Sequence, residues 1–392
     1  MAEAVVVSAV RTPVGRAPKG SLSTTRPDDL AAMAINDALG RVSGLDRAEV
    51  EDVILGCAQQ EGESGWNMAR MAALRAQLPI DVPGMTVNRL CASGLEAIAQ
   101  ADMRIRTGTQ KVVVAGGAES MSMLPMGGLK PRPNPWLADN YPAALLTMGL
   151  TAERVAKHYG ISREDADAFS LASHRKALAA QAAGKFKEEL VPVTITTASP
   201  GAKAGKPVTT ETMFESDEGP RADTTAEALA ALKPVFHAKG TVTAGNASQT
   251  SDGAAAAVLM EAGRAKELGV EPLGRLVAYA VAGCLPEEMG MGPLYAVPKA
   301  LKKAGLKLDD IGLIEFNEAF AAQALAVMRE LGFDPEKVNV NGGAVALGHA
   351  IGQSGSRLLT TVLYELKRRD AHRAVVALCL GGGNAVALAV ER

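Results

Sequence analysis

Cys91 is the first candidate for a catalytic residue. It lies in VNRLCASGLEAI (residues 87–98), between a predicted strand and a predicted helix. A helix start favours the thiolate, because the helix dipole and the free N–H groups stabilise negative charge. The small residues Ala92, Ser93 and Gly94 let a substrate come close to this cysteine. A lone cysteine near a helix start is more often structural, so a nucleophile requires partners elsewhere in the chain.

A thiolate nucleophile needs a general base, for which histidine is the usual choice, and donors for an oxyanion. His158 and His174 lie on charged helical stretches, His237 borders a loop and His372 follows a polar turn, so these four are predicted at the surface. His349 lies in NGGAVALGHAIGQSG, which has five glycines in fifteen residues. A polar side chain in such a stretch indicates close backbone approach, either to a ligand or to another strand.

Two further stretches carry polar groups at the ends of predicted strands. In CLGGGNA (residues 379–385), Cys379 is followed by three glycines. This run can direct backbone N–H groups at an anionic oxygen, or it can be a tight turn into the last strand. In IEFNEAF (residues 314–320), Asn317 ends a strand and, taken alone, is best explained as a helix N-cap.

Composition limits the function classes. The 392 residues suggest two or three domains, and 41 Lys plus Arg against 43 Asp plus Glu argue against nucleic acid as the main partner. No apolar run reaches the ~20 residues of a membrane span, and the N-terminus lacks the features of a signal peptide. The four cysteines show neither CxxC spacing nor a disulfide framework, and no cluster has metal-ligand spacing. A cytoplasmic enzyme with reduced thiols and no metal is predicted.

The elements that must position these residues follow an alternating pattern. Short Val/Ile/Leu-rich strands alternate with Ala-rich helices, which predicts an α/β protein with buried sheets. A weak repeat is visible: VEDVILG resembles IGLIEFN, and KVVVAGGAES resembles RAVVALCLGGG, both about 261 residues apart. The repeat predicts two halves of the same topology, although buried strands also resemble one another by composition alone.

A stretch of different composition separates the two halves. Its Pro-, Gly- and Lys-rich segments, including ASPGAKAGKPVTT, are predicted loops. They flank two helices, the second opened by Ser162 with Asp165 three residues on. The predicted domains are an N-terminal half (1–120 with 244–272), an inserted loop domain (121–243) and a C-terminal half (273–392).

These stretches together resemble the thiolase family. NRLCASG, NEAF, NGGAVALGH and CLGGG occur in the family's order, as do GGAESMS, MGLTAE, GNAS and DGAAA. The resemblance covers essentially the whole chain. It implies a fold of two similar αβαβα halves that form a layered α/β core, with an inserted loop domain.

The resemblance also implies roles for the polar groups. Cys91 resembles the nucleophile that carries the acyl group as a thioester, and His349 the residue that activates it and helps bind the thioester oxygen. Cys379 resembles the second acid/base, which exchanges protons with the acetyl carbon and with CoA. Asn317 resembles the residue that holds a water beside His349, and the N–H groups of Cys91 and Gly381 a second oxyanion site.

Coenzyme A is implied as a substrate, with no tightly bound cofactor, on the side of the loop domain. By position Ser248 resembles a pantetheine contact and Arg221 a residue near the adenine. Lys203 and Lys206 are either near the phosphates or in a solvated loop. The family assembles as homodimers or homotetramers, and GMTVNRL is an apolar edge that fits an interface. The remaining predicted channel residues are Phe236, Met148, Ala319 and Phe320.

Departures from the family pattern concern a loop and the substrate. Ala350 replaces a proline that usually follows the histidine, and Thr147 replaces a histidine typical of short-chain biosynthetic thiolases. With GNASQTSDGAAA, which is similar to degradative members, this predicts a 3-ketoacyl-CoA thiolase of broad chain length, as in β-oxidation. A dedicated acetyl-CoA acetyltransferase acting on acetoacetyl-CoA is the alternative. More distant alternatives are a ketoacyl-synthase-like or HMG-CoA-synthase-like condensing enzyme, a cysteine hydrolase and an inactive acyl-CoA-binding scaffold.

Overall fold

The computed structural model describes residues 2–199 and 208–392. Its strands are β1 (Ala4–Arg11), β2 (Gly15–Arg16), β3 (Asp52–Gly56), β4 (Gly84–Val87), β5 (Val112–Ser120), β6 (Val193–Ser199), β7 (Val208–Phe214), β8 (Ser251–Glu261), β9 (Arg275–Gly283), β10 (Leu313–Phe316), β11 (Arg373–Leu380) and β12 (Asn384–Glu391). Its α-helices are α1 (Pro27–Gly40), α2 (Met68–Arg75), α3 (Ser93–Arg106), α4 (Pro135–Asn140), α5 (Met148–His158), α6 (Arg163–Ala182), α7 (Ala226–Ala230), α8 (Ala262–Leu268), α9 (Pro293–Ala304), α10 (Ala321–Leu331), α11 (Ala344–Leu347) and α12 (Ile351–Arg369).

Two sheets repeat one topology. The first has the order β1-β8-β5-β3-β4, in which β3 is parallel to β5 and β8 is antiparallel to β5 and β1. The second has the order β9-β12-β11-β10, in which β10 is parallel to β11 and β12 is antiparallel to β11 and β9. A single parallel bridge between Ile314 and Val338 takes the place of the β3–β4 pair. The prediction of two similar halves is confirmed.

The two sheets enclose a central layer formed by α3 and α12. One apolar cluster joins both helices to the facing sides of both sheets, a second joins α1 and α2 to the outer face of the first sheet, and a third joins α9 and α10 to the outer face of the second. The central helices approach closely because Gly94 has no side chain: a Cβ there would lie 2.7 Å from the Gly352 oxygen. Five layers result, as the αβαβα prediction requires.

The segment between β5 and β8 contains α4 to α7 and the antiparallel hairpin β6–β7. Ser162 caps α6 as predicted, since its Oγ accepts a hydrogen bond from the Asp165 N–H at 3.0 Å. The hairpin was missed: the part of ASPGAKAGKPVTT that includes Lys203 and Lys206 lies outside the described residues, but its flanks are strands. The exact domain boundaries stay a prediction.

Candidate active site

Cys91 lies on a tight turn between β4 and α3, as predicted. The preceding residue, Leu90, has a φ of 44°, which is unusual for a residue with a side chain. The Asn88 side chain accepts from the Leu90 N–H at 2.8 Å. Ser93 Oγ accepts from the Arg89 N–H at 2.9 Å and donates to the Leu90 carbonyl at 2.6 Å. These bonds hold the turn and fix the cysteine at the start of the helix.

His349 lies before α12, the helix that corresponds to α3 in the other half. Its backbone N–H is shared between the Gln249 carbonyl and Ser251 Oγ, both at 3.0 Å. The preceding Gly348 has a φ of 100°, and a Cβ there would lie 2.3 Å from Ser251 Oγ. Only glycine fits this approach. The glycine-rich stretch therefore serves to bring the histidine against the strand segment that leads into β8.

The hydrogen bonds around His349 assign its tautomer. Its Nδ1 lies 2.6 Å from Ser354 Oγ, and this hydroxyl donates to the Ala350 carbonyl at 2.8 Å. A hydroxyl has one proton, so Nδ1 must be the donor and Nε2 carries the lone pair of a general base. Sequence reasoning missed Ser354. A hydroxyl in the first turn of the helix that follows the histidine was the available signal.

Asn317 lies directly behind this base. It follows β10 and is completely buried, with its Nδ2 3.4 Å from His349 Nε2. The N-cap interpretation is wrong, because α10 begins only at Ala321 and Phe320 is its N-cap residue. The structure therefore places the Asn317 amide beside Nε2 of the imidazole.

Cys379 ends β11 and is fully buried, and the glycines after it turn the chain into β12. Gly382 and Gly383 have φ values of 73° and 80°, so the turn interpretation of CLGGGNA is correct. The run also brings a donor near the nucleophile, since the backbone N–H groups of Gly381 and of Cys91 itself both lower the pKa of the Cys91 thiol. The turn is therefore confirmed, whereas the use of these N–H groups as an oxyanion site stays a prediction.

Burial decides the charge state of the catalytic groups. It raises the pKa of Cys91 to about 11, against the lowering effect of the two N–H groups. Burial, with the nearby Arg357 charge, lowers the pKa of His349 to about 3. Burial also raises the pKa of Cys379 well above its ordinary value, and Cys91 adds to this. The N–H groups at the helix start lower the pKa of Cys91, as expected of that location, but burial of the thiol raises this pKa by more.

A cavity of about 410 Å³ connects these groups. Asn317 lies behind His349 rather than on the wall. Among the described residues that line the cavity, no side chain is an Asp, Glu, Lys or Arg. The residues that sequence reasoning selected and that line the cavity are Cys91, His349, Cys379, Gly381, Ser248, Phe236, Met148, Ala319 and Phe320. Their individual roles in binding stay predictions.

Arg221, like Asn317, does not reach the cavity wall. Its side chain is exposed, and its backbone N–H donates to His174 Nδ1 at 3.2 Å. His174 is only 4% exposed, so its assignment to the surface was wrong. Burial and the Arg221 charge lower its pKa, which keeps the ring neutral as an acceptor. Helical spacing from the buried Ser170 and Ala177 was the signal for its position.

Several lining residues carried no sequence signal of chemistry, because they are ordinary apolar or amide side chains. They are Gln59, Met121, Met126, Gln249, Met289 and Ile351. Over residues 2–199 and 208–392, no group of three or more His, Cys, Asp or Glu side chains is arranged to hold a metal ion. Within the same residues, no helix is both long and apolar enough to cross a membrane.

Comparison with known proteins agrees with this geometry. The N-terminal domain model of thiolase matches residues 4–263, and the C-terminal domain model matches residues 270–392. A 3-ketoacyl-CoA thiolase of Bacillus subtilis (strain 168) is 53% identical over 383 residues, which cover 98% of this chain and 97% of the relative. An acetyl-CoA acetyltransferase of Pseudomonas aeruginosa is 47% identical, with both chains fully covered.

A solved structure also matches this chain over its full length. The acetyl-CoA acetyltransferase of Bacillus anthracis superposes with a TM-score of 0.89 at 44% identity, covering 100% of this chain and 99% of that one. The matched family models, the high identity over the full length and the shared fold agree with one another. The chain belongs to the thiolase family of acyltransferases.

Proposed function

We propose that this protein catalyses the CoA-dependent cleavage of a 3-ketoacyl-CoA to acetyl-CoA and a shortened acyl-CoA, and the reverse condensation, through an acyl group on Cys91. One observation carries the proposal: Cys91, Cys379 and His349 line one cavity. A hydrolase needs one thiol, whereas carbon–carbon cleavage also needs a group that protonates the carbanion.

The first half-reaction acylates the enzyme. His349 Nε2 takes the proton of Cys91 as the sulfur attacks the 3-keto carbon, and the N–H groups of Cys91 and Gly381 stabilise the oxyanion. The carbon–carbon bond then breaks and leaves an enolate of acetyl-CoA. The enolate oxygen lies at His349 and Asn317, and Cys379 donates its proton to the enolate carbon.

The second half-reaction returns the enzyme to its starting state. Free CoA enters after acetyl-CoA has left, and the Cys379 thiolate takes the proton of the CoA thiol. The CoA sulfur attacks the acyl carbon, and the Cys91 sulfur leaves and recovers its proton from His349. Because one product departs before the second substrate binds, ping-pong kinetics follow. The raised pKa of both thiols fits this cycle, since each thiolate exists only while the reaction uses it.

The substrate we propose is a 3-ketoacyl-CoA of broad chain length, used in the degradative direction as in β-oxidation. Thr147, not an imidazole, faces the cavity beside Met148, and Gln249 is part of the stretch similar to degradative members. Ser248 is proposed to contact the pantetheine, and Arg221 the adenine. The relatives carry both names, so an acetyl-CoA acetyltransferase is the second candidate.

We further propose a homodimer or homotetramer that uses β4 as an interface. β4 is the last strand of its sheet and is half-buried, and Trp66 and Ile80 nearby are 90% and 77% exposed. An open strand edge with apolar neighbours is a surface for self-association. Sedimentation of the wild type and of a Met85→Pro variant tests this.

Four free cysteines support a reducing, cytoplasmic compartment.

The deciding experiment is thiolysis. The protein is mixed with CoA and either acetoacetyl-CoA or a ten-carbon 3-ketoacyl-CoA, and loss of the ketoacyl-CoA is followed. Cleavage of both, abolished in Cys91→Ser, is the expected result. Cleavage of acetoacetyl-CoA alone selects the acetyltransferase. Cleavage of neither, with CoA binding intact, selects the inactive scaffold.

A further inference from the structure

The turn that carries Cys91 contains a backbone conformation under strain. Leu90 has a φ of 44°, a left-handed conformation that costs a residue with a side chain roughly tenfold in population. Its side chain lines the cavity and reaches the turn after β11, since a Cβ on Gly381 would lie 3.3 Å from Leu90 Cδ1. The conformation of Leu90 therefore fixes where Cys91 lies relative to Gly381. A strained conformation of this kind persists only where the surrounding structure holds it.

A buried carboxylate, Glu96, joins the start of this turn to the helix that follows it. Glu96 lies in the first turn of α3 and is 7% exposed. Its Oε2 accepts from Arg89 Nε at 2.6 Å, and Arg89 is the residue directly before Leu90. Cys91 therefore lies inside a short loop whose two ends are linked by an ion pair, in addition to the hydrogen bonds of Ser93.

The C-terminal half of the molecule contributes to the same carboxylate. The Tyr279 hydroxyl, on β9, donates to Glu96 Oε2, and the Gln100 amide donates to Oε1 at 3.0 Å. Tyr279 also packs against the central apolar cluster, as do Leu90 and Cys91. Three donors, from the turn, from α3 and from the second sheet, thus converge on one carboxylate.

Glu96 is ionised at neutral pH, and its partners are donors. Burial by itself raises the pKa of Glu96, but the hydrogen bonds from Tyr279, Gln100 and Arg89 together lower this pKa below its ordinary value. Burial and the Glu96 charge raise the pKa of Tyr279, so its hydroxyl keeps the proton that it donates. Hydrogen bonds to an ionised group are stronger than those between neutral groups, so this carboxylate can hold the turn against the strain at Leu90.

We propose that Glu96 is a positioning residue of the reaction: it holds Arg89 and Tyr279, and so keeps the Cys91 turn in the conformation that attack on the substrate requires. The inference rests on the proposed role of Cys91 as the nucleophile and adds a residue outside the cavity to that role. Glu96 is not among the described residues that line the cavity, so it acts through the backbone of the turn. Its loss is therefore expected to lower turnover and to leave substrate binding unchanged.

Glu96→Gln tests the inference, with Asp102→Asn as the matched control. The glutamine replaces a charged acceptor by an amide and removes the ion pair with Arg89. We expect kcat for thiolysis to fall about tenfold, with KM for CoA and for the ketoacyl-CoA within about twofold of wild type. Asp102 also lies on α3, is also 7% exposed and forms an ion pair with Arg106 at 2.9 Å, but it is at the end of the helix far from Cys91. Asp102→Asn should keep kcat within about twofold of wild type.

A triple variant separates positioning from stability. Arg89→Met, Glu96→Leu and Tyr279→Phe together remove the three polar groups and leave no charge unpaired. The free energy of unfolding should therefore stay closer to that of wild type than in Glu96→Gln. The kcat should nevertheless remain about tenfold below wild type, because the turn is no longer held. Recovery of kcat together with stability would show that Glu96 only supports the fold.

Hydrogen exchange gives a readout that needs no turnover. Peptides that cover residues 88–95 should exchange faster in Glu96→Gln than in wild type or in Asp102→Asn. If exchange of these peptides is unchanged, or if Glu96→Gln cleaves as fast as wild type, the inference is overturned and the thiolase activity stands. If wild type cleaves no 3-ketoacyl-CoA, the proposed function is overturned, and the exchange of the turn still decides whether Glu96 holds it.

Discussion

The two halves of the molecule have the same topology but carry different polar residues at the ends of their strands. In each half, two parallel strands end at the same edge, and a central helix begins beside them. In the C-terminal half, Cys379 at the end of β11 and His349 before α12 line the cavity, and Asn317 after β10 contacts His349. Of the four polar site residues, Cys91 before α3 is the one that the N-terminal half contributes. The polar residues at the strand ends of that half are satisfied internally.

The internal group of the N-terminal half is the pair Cys57 and Glu119. Cys57 follows β3, and Glu119 lies near the end of β5. The Glu119 carboxylate accepts from Ala58 N–H at 2.8 Å, Gln59 N–H at 3.0 Å and Gly352 N–H at 2.9 Å. The last of these is an otherwise free donor in the first turn of α12. One half therefore supplies support for the helix that positions the other half's base.

The largest effect on turnover is expected when either of the two cysteines that line the cavity is replaced by serine. Cys91→Ser and Cys379→Ser should each lower turnover by at least about 10³-fold, because nucleophile and acid/base act as a unit. They should differ in a half-reaction: Cys379→Ser retains a nucleophile and should become acylated by an acyl-CoA, whereas Cys91→Ser should not. Intact-protein mass spectrometry after mixing with acetyl-CoA measures this.

Cys284→Ser is the control for these variants, because that cysteine is half-buried and does not line the cavity. Its turnover should match wild type. Acylation of Cys91→Ser, or absence of acylation in Cys379→Ser with the protein folded, would reverse the assigned division of roles between the two halves.

A second prediction tests whether burial or the position at the helix start determines the pKa of Cys91. With a pKa of about 11, its alkylation by iodoacetamide should rise about tenfold per pH unit from pH 7 to pH 9, since only the thiolate reacts. A small free thiol with a pKa of about 8.5 should level off near the end of that range. Peptide mass spectrometry follows Cys91 separately. A plateau below pH 8 would mean that the helix dipole prevails over desolvation.

A third prediction removes the Glu119 carboxylate, which accepts hydrogen bonds from backbone N–H groups of both halves. Glu119→Gln places an amide N–H where three backbone N–H groups converge, so one donor loses its acceptor. The expected loss is about 1–3 kcal/mol of unfolding free energy, measured by urea denaturation. Glu267→Gln, at a mostly exposed carboxylate on α8, is the control and should not change stability measurably. Equal stability of both variants would show that Glu119 is not needed to hold α12.

Much of the frame could be predicted from the sequence because buried strands are continuous apolar runs. The resemblance between VEDVILG and IGLIEFN, and between KVVVAGGAES and RAVVALCLGGG, corresponds to the pairs β3 with β10 and β5 with β11. Of the four polar site residues, His349 was recognisable from its glycine-rich stretch, whereas Cys91, Cys379 and Asn317 were selected through the resemblance to the thiolase family.

What the sequence could not supply depends on tertiary burial. The pKa of Cys91 follows from desolvation by both halves, which outweighs the local helix start. His174 looks exposed in a charged stretch, yet its face of α6 packs against the segment that ends at Arg221. The cavity wall also depends on Met121 and Ile351, which are far apart in the chain and apolar like the rest of the core.

The smallest effect is expected where the C-terminal half departs from the family pattern, at Ala350. Its φ of −71° is that of a proline, it is the N-cap residue of α12, and no hydrogen bond from its N–H occurs within the described part of the chain. His349 before it is bridged to Thr250 in an extended conformation, which proline requires of its neighbour. Ala350→Pro should therefore leave kcat within about twofold and change the free energy of unfolding by at most about 1 kcal/mol, toward stability. Ala346→Pro is the matched control. The Ala346 N–H donates to the Gly343 carbonyl at 3.1 Å, and a proline at this position would lose that hydrogen bond. Loss of turnover in Ala350→Pro, with the fold intact by circular dichroism, would show that the base needs a backbone angle at position 350 that the ring forbids.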